Sequence, residues 1–171
     1  MEEIMSGFKY FVLFLLSTGL SFSISAADNK VAAANGIEFP NDYKQWAPVG
    51  VSHRTDKESL RLILANPIAK KAIDTGKTNP WPNGSKLAKI VWQDSTHKYW
   101  TTATVPGKLI HAEFMFKNTK KYKKTGGWGY ARWLGKNKKP YDGVSVQQEC
   151  YQCHLKAKKT DLVFTRPITL P

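Results

Sequence analysis

The only two cysteines of the chain lie in the run Cys150-Tyr151-Gln152-Cys153-His154. The spacing C-x-x-C-H is that of an attachment site for haem c. Each thiol can add to one vinyl group of the same porphyrin, and the adjacent histidine is then held beneath the iron as an axial ligand. Cys150, Cys153 and His154 therefore form the primary candidate site, and the motif predicts one covalently bound haem.

Two other uses of a cysteine pair agree less well with the sequence. A redox dithiol of the thioredoxin type does not need the adjacent histidine, and it normally begins a helix after a strand in a βαβ pattern that is absent here. A structural zinc site requires two further ligands, and the chain has no second cysteine pair to supply them. Haem attachment is therefore the favoured interpretation.

The second axial position of the iron has no obvious protein ligand. Electron-transfer cytochromes c usually use a methionine there, but no methionine follows His154. The remaining candidates lie earlier in the chain and are Met115, His53, His97 and His111. The histidines are predicted to be surface or strand residues. We therefore expect an open iron position, which suits ligand binding or catalysis better than simple electron transfer.

The N-terminal segment has the features of an export signal. Residues 11–24 are apolar, and Ser25-Ala26-Ala27 offers small residues for cleavage, so residues 1–27 are predicted to be a signal peptide. The apolar run is too short to span a bilayer comfortably, and the mature protein is predicted not to span the membrane. Export to the periplasm also agrees with haem attachment, which takes place outside the bacterial cytoplasm.

The chain is strongly basic, with a formal net charge of +13. Loss of Glu2, Glu3 and Lys9 with the signal peptide would raise it by one charge. Such a surface favours acidic partners, here an acidic redox partner protein, and increases association rates by electrostatic steering. Nucleic acid, the usual partner of a basic protein, is not expected for an exported haem protein.

Residues 28–38 are small and polar and are predicted to be a flexible leader, followed by one domain over residues 39–171. Apolar patterning and turn residues predict strands, and these lie at 49–54, 60–64, 86–92, 109–116, 128–134 and 161–165. Along residues 109–116, the side chains of His111, Glu113 and Met115 are predicted to share one face, opposite Phe114 and Phe116.

The predicted helices are short. One begins near Asn41 or Asp42, a second covers 68–75 with Asn66 as its cap and Gly76 after its end, and a cationic one covers 118–124. A last helix over 146–155 carries the haem motif. Because the long amphipathic periods of a four-helix bundle are absent, the fold class is predicted as α+β, mainly an antiparallel sheet with a few short helices.

Six stretches then give the chain a family resemblance: residues 43–46, 68–76, 84–89, 126–128, 149–154 and 161–165. The sequence resembles the cytochrome P-460 family, which includes the β-sheet cytochromes c′-beta. The most specific feature is a late haem motif followed by Asp161-Leu162-Val163-Phe164-Thr165. The resemblance implies a largely antiparallel β fold, a homodimer and a five-coordinate haem c.

The resemblance also implies an unusual covalent bond. In hydroxylamine-oxidising members a lysine side chain is joined to the porphyrin edge, and the matching position here is Lys89. The residues alone are compatible with this, because Lys89 lies between its same-face neighbours Leu87 and Val91. A lysine on an apolar face is unfavourable unless it extends to solvent or is consumed chemically. The alternative is an ordinary lysine at a solvated sheet edge.

Family members differ in activity. Some oxidise hydroxylamine and use a carboxylate for proton transfer, whereas others bind nitric oxide beneath phenylalanines with little turnover. The resemblance implies oxidation of hydroxylamine or handling of nitrogen oxides, and it leaves a nitric-oxide-binding cytochrome c′-beta or a simple electron-transfer cytochrome as alternatives. Asp142 is the first candidate for the acid, followed by Glu113 and Glu149.

Overall fold

The computed structural model describes residues 31–141 and 146–168. Within them, six strands form one sheet in which each strand pairs antiparallel with its neighbour along the chain. The α-helices are α1 (Pro67–Asp74) and α2 (Val146–His154). The strands are β1 (Ala47–Arg54), β2 (Ser59–Ala65), β3 (Lys86–Thr96), β4 (Thr104–Lys117), β5 (Trp128–Leu134) and β6 (Lys139–Pro140). The predicted α+β class with a mainly antiparallel sheet is confirmed.

One side of the sheet, the aromatic face, is built from rings. Phe39, Trp46, Phe114 and Trp133 are buried there, and the Phe39 ring lies 5.3 Å from Phe114 and 5.1 Å from Trp133 between centroids. These contacts have edge-on geometry, which the quadrupoles of aromatic rings favour. The aromatic face therefore forms a closed apolar layer behind the sheet.

The opposite side of the sheet is the cavity face, and the alternating side chains of β4 show how the two faces differ. His111, Glu113 and Met115 line a cavity on this side, whereas Phe114 and Phe116 pack in the cluster of the aromatic face. Successive strand residues point to opposite faces, so an apolar row and a mixed polar row lie back to back. The predicted division of these five side chains is confirmed.

The described part of the predicted flexible leader packs against the aromatic face. Ala33 and Ile37 are buried in its cluster, and the N–H of Ala33 donates to the carbonyl of Ile37 at 2.8 Å. Ala32 forms an isolated bridge with Glu38. A few apolar side chains among small residues are enough to hold this turn, and average composition does not reveal them.

Two predicted elements are wrong. The cationic helix predicted at 118–124 is a turn followed by a short 3-10 helix, Lys123–Thr125. The side chain of Asn118 accepts hydrogen bonds from the backbone N–H groups of Lys120 and Lys121 at 3.2 and 2.9 Å. Such local bonds compete with helix formation. The strand predicted at 161–165 is absent, because the chain turns there through two left-handed residues.

The first helix is a 3-10 helix, Asn41–Gln45, and it begins after Pro40 without a side-chain cap. Asp42 accepts a hydrogen bond from the Trp46 indole at 3.0 Å instead. The predicted capping role of Asn41 or Asp42 is therefore wrong. No helix among the described residues is long and apolar enough to cross a bilayer; the predicted signal peptide, residues 1–27, lies outside them.

The start of α1 agrees with the sequence prediction. The side-chain oxygen of Asn66 accepts from the N–H of Ala69 at 3.0 Å and from the N–H of Lys86 at 2.9 Å, and its amide donates to the carbonyl of Gly84 at 2.9 Å. Pro67 occupies the first helical turn, and Gly76 follows the end of the helix with a φ of +67°. Asn66 thus joins α1 to the start of β3.

We predict that Asn66→Ala lowers the free energy of unfolding by about 2–3 kcal/mol, because it removes a helix cap and leaves two further backbone groups without partners. Chemical denaturation followed by circular dichroism measures the loss. Asn83→Ala is the matched control, since its bonds to Thr119 are exposed and it should lose less. Equal losses in the two variants would contradict the role given to Asn66.

Candidate functional site

A cavity of about 1000 Å³ lies between the cavity face and the segment formed by α2 and the residues after it. Strands β1 to β5 supply one wall, and Cys150, Cys153 and His154 line the other. Protein pockets for cofactor-sized molecules have volumes of roughly 300–1,000 Å³. The cavity is therefore large enough for a porphyrin.

Helix α2 brings the three motif residues to the same cavity. Residues three and four apart lie on one side of an α-helix, so both thiols and the imidazole face the sheet. Cys150 and Cys153 are free thiols, and Cys150 is the more buried of the two. Burial raises the pKa of Cys150 to about 11. Both cysteines line the cavity, where a porphyrin would meet their thiols.

The orientation of His154 is fixed by a hydrogen bond. Its Nδ1 lies 2.6 Å from the carbonyl oxygen of Leu162. A carbonyl oxygen only accepts, so Nδ1 carries the proton and Nε2 keeps its lone pair. Burial lowers the pKa of His154, although the bond to Leu162 opposes that effect. The neutral imidazole with a free Nε2 is the form that binds a metal.

Two aromatic rings flank this imidazole. The ring of Tyr130 lies 5.1 Å from that of His154, and the ring of Phe164 lies 5.1 Å away. Tyr130 is buried in β5, whereas Phe164 is exposed and follows the haem motif in the chain. The sheet and the C-terminal segment therefore both restrict rotation of the ligand ring.

A cluster of charges crosses the wall of the cavity. Lys89, Glu113 and Arg132 lie opposite one another on β3, β4 and β5. Glu113 forms an ion pair with Lys89, and its other oxygen accepts from Nε of Arg132 at 2.7 Å. His111 Nε2 lies 3.3 Å from the same oxygen. One carboxylate thus meets three basic side chains.

The charges in this cluster control its protonation. Burial alone would raise the pKa of Glu113, but the positive charges of Lys89 and Arg132 outweigh it and lower the pKa to about 2. Burial also lowers the pKa of His111, against the opposing effect of Glu113. At neutral pH the cluster therefore holds a carboxylate, two cations and a neutral imidazole.

The structure brings several predicted residues together. Lys89 lines the cavity with Leu87 and Val91, as the strand parity predicts. Lys86 instead lines a separate pocket on the opposite side of the sheet. Of the candidate acids, Glu113 is in the cavity wall, Glu149 is exposed on α2, and Asp142 lies outside the described residues.

The candidate axial ligands divide into two groups. His111 and Met115 line the cavity. His53 lies outside it and contacts Asp94 at 2.6 Å, and His97 lies in the turn between β3 and β4, where it accepts from the N–H of Tyr99 at 3.3 Å. The predicted placement on the surface or in a strand is confirmed for all three histidines, since His53 lies in β1, His111 in β4 and His97 in an exposed turn.

Three polar atoms of residues that line the cavity, one of them Oγ of Ser59, have no hydrogen-bond partner within the described residues. Nε of Arg61 and the hydroxyl of Tyr130 are buried and make no hydrogen bond there. A buried polar group without a partner is costly, and a porphyrin carries two carboxylates that Arg61 could bind. Sequence reasoning missed Arg61 as a site residue, although a lone arginine inside an apolar strand is a usable signal.

The ligand set also agrees with haem. Among the described residues, no group of three or more His, Cys, Asp or Glu side chains is arranged to hold a metal ion. A single histidine suffices only where another molecule supplies the remaining ligands, as the four porphyrin nitrogens do. The cavity volume, the two thiols, the free Nε2 of His154 and the unpartnered Nε of Arg61 all fit haem c.

Comparison with known proteins gives the same answer. The model of the family described as Cytochrome P460 matches residues 40–165, a range that contains the whole sheet, the cavity wall and the haem motif. No curated protein is significantly similar to the chain. Because the match spans most of the sequence, the chain belongs to the cytochrome P460 family and is a haem c cytochrome.

Proposed function

We propose that this protein is an exported mono-haem cytochrome that oxidises hydroxylamine or a related nitrogen compound. The observation that supports this is the presence of Glu113, a carboxylate whose side chain is only 15% exposed, in the same cavity as the ligand histidine His154. Haem supplies the iron that binds a small nitrogen ligand and takes up its electrons. Oxidation of such a ligand also releases protons, and a carboxylate in the cavity wall is a suitable acceptor.

The motif residues hold the group. Cys150 and Cys153 form thioether bonds, and His154 binds the iron through Nε2. Arg61, with its unpaired Nε, binds a propionate. His111 is already in contact with Glu113 at 3.3 Å, and no methionine follows His154. In this proposal His154 would be the protein's ligand to the iron, and neither His111 nor the cavity-lining Met115 would bind it.

Lys89 is the proposed third covalent link to the porphyrin. It lines the cavity from the middle of β3, and its nitrogen is ion-paired with Glu113. Formation of this bond would replace a hydrogen at the porphyrin edge with the Lys89 nitrogen, release two protons from the neutral amine and the ring edge, and require a two-electron oxidant such as a peroxide from outside the protein.

The cross-link at Lys89 and the acceptance of protons by Glu113 are coupled through the charge on Lys89. As long as Lys89 is a cation, it contributes to lowering the pKa of Glu113 to about 2, which makes the carboxylate a weak base. Loss of the positive charge on Lys89 raises the pKa of Glu113 again. In this proposal the cross-link therefore prepares Glu113 to accept protons from the substrate.

A second candidate function is binding of nitric oxide without turnover. It is favoured by the same low pKa of Glu113, about 2, if the cation on Lys89 is retained. A third, simple electron transfer, would require Met115 or His111 as a sixth ligand, and both line the cavity. These candidates differ in what occupies the open side of the iron.

The proposed function includes a compartment, an oligomeric state and a redox partner. Residues 1–27 act as a signal peptide, and the mature chain functions in the periplasm as a homodimer. Its net charge, +13 for the whole sequence, favours an acidic redox partner that accepts the electrons. Steering of this kind weakens as ionic strength rises.

For haem attachment, we predict that periplasmic expression with haem-maturation machinery yields one covalent haem per chain. Cys150→Ala combined with Cys153→Ala should abolish covalent attachment, because the thioether sulfurs are gone. Denaturing electrophoresis with haem staining and intact mass measure the outcome. A colourless wild-type protein under these conditions would contradict the assignment.

For the cross-link, we predict that Lys89→Leu gives an ordinary c-type absorption spectrum with the haem still bound through both cysteines. Lys86→Leu is the control and should leave the spectrum unchanged, since Lys86 lies on the opposite face. Proteolysis and mass spectrometry of the wild type should yield one haem species carrying the motif peptide and the Lys89 peptide. A free, unmodified Lys89 peptide from fully matured protein excludes the bond.

For catalysis, we predict turnover of hydroxylamine with an artificial electron acceptor, and a fall of kcat by about a hundredfold or more in Glu113→Gln, which lacks the proton acceptor. Glu149→Gln, exposed on α2, should retain wild-type activity. Carbon monoxide should bind quickly to the ferrous form of all three proteins. Nitric oxide binding without any turnover in the wild type would instead favour the second candidate function.

A further inference from the structure

Lys117, at the end of β4, is a buried lysine that does not line the cavity. Its residue is only 4% exposed, and its ammonium lies 2.8 and 2.7 Å from the two carboxylate oxygens of Asp161 and 3.2 Å from the carbonyl of Gly126. It also lies 4.9 Å from the centre of the Trp128 ring. All three donors of the ammonium are thus used.

Asp161 is held from several sides. Beyond Lys117, its carboxylate accepts from the backbone N–H of Trp81 at 2.8 Å, and its own carbonyl accepts from the Trp128 indole at 2.8 Å. Removal of one partner from a buried ion pair is strongly destabilising because the other charge is left uncompensated. The position of Asp161 is therefore tightly defined.

The backbone at this point is strained. Asp161 and Leu162 are consecutive non-glycine residues in the left-handed region, with φ of 49° and 68°. Such a conformation costs roughly 1–2 kcal/mol per residue and persists only where the surroundings enforce it. The N–H of Leu162 donates to the carbonyl of Ala157 at 2.9 Å, which closes the turn.

The turn directs the carbonyl group of Leu162 toward His154. The oxygen of Leu162 lies 2.6 Å from Nδ1 of His154. A hydrogen bond from Nδ1–H to a fixed acceptor orients the imidazole and increases its basicity toward a metal at Nε2. The strength of such a bond falls steeply when the angle or distance changes.

We propose that the ion pair between Lys117 and Asp161 is the positioning device for the axial histidine, acting through the carbonyl of Leu162. This inference rests on the proposed iron ligation by His154 but not on any substrate. Lys117 and Asp161 are positioning residues, since neither lines the cavity. When the pair is removed, the turn relaxes, the bond to Nδ1 weakens and His154 becomes a poorer donor to iron.

When His154 becomes a poorer donor, ferric iron loses more stabilisation than ferrous iron does. The reduction potential of the haem should therefore rise. We expect the ferrous-to-ferric ratio at a fixed potential to increase about tenfold, equivalent to about 59 mV for one electron. The frequency of the iron–histidine stretch in the ferrous protein should fall at the same time.

The experiment compares purified haem-loaded variants by spectroelectrochemistry and resonance Raman spectroscopy. Asp161→Asn and Lys117→Met should each raise the potential and lower the stretching frequency, whereas Lys117→Arg, which keeps the charge, should remain close to the wild type. The matched control is Asp74→Asn, which breaks the exposed Lys70–Asp74 pair with its 2.6 Å contact and should change neither quantity.

The double variant Lys117→Met with Asp161→Asn guards against a failure of the single variants to mature. It leaves no uncompensated charge and should fold better than either single variant, yet it should still show the raised potential. Loss of stability with unchanged potential and stretching frequency would overturn the inference and leave the proposed function intact. A wild-type protein without an iron–histidine band would overturn both.

Discussion

The antiparallel register of β3, β4 and β5 is the constraint on which the chemistry of the cavity depends. It places Lys89, Glu113 and Arg132 in one row across three strands, so that a buried carboxylate meets two cations. A carboxylate in that position without partners would cost several kcal/mol. A shift of β4 by one residue in the pairing would transfer Glu113 to the aromatic face and break the row. Sheet register and charge compensation therefore reinforce each other.

The opposite wall is organised locally. One turn of α2 presents both thiols and His154, and the 3-10 helix Leu155–Thr160 leads back to the carbonyl that fixes the imidazole. Long-range contacts include those of Lys117 and the two tryptophans that hold Asp161, and the ring of Tyr130 against His154. The site is thus a local motif placed against a sheet wall that the register defines.

The sequence predicted the parts that follow from short-range rules. Strand alternation placed Lys89 and Glu113 on the cavity face, and the Asn66-Pro67 pair gave the start of α1. Strands β3 and β4 extend beyond their predicted ends at residues 92 and 109. Their outer residues are largely exposed, so the apolar signal that marks a strand is missing.

Features that depend on tertiary contacts were not predictable. The left-handed turn at Asp161 is imposed by Lys117, which lies far away in the sequence, and intrinsic preference favours an extended chain there. The lone arginine of the apolar strand β2, Arg61, can be noticed in the sequence, but its place in the cavity wall follows only from the tertiary structure. The pairing of Lys89 with Glu113 likewise required the register between two strands, which periodicity alone does not give.

The topology also has a kinetic consequence. Every strand pairs with its neighbour in the chain, so the sheet can form through contacts of short sequence separation, which favours fast folding. Its two faces are covered by opposite ends of the described chain: residues 31–46 on the aromatic face, and α2 with the following segment on the cavity face. Docking of the two ends can proceed independently, and cofactor loading is tied to only one of them. In a chain without cofactor, residues 31–46 can therefore pack on the aromatic face before α2 and the following segment dock on the cavity face.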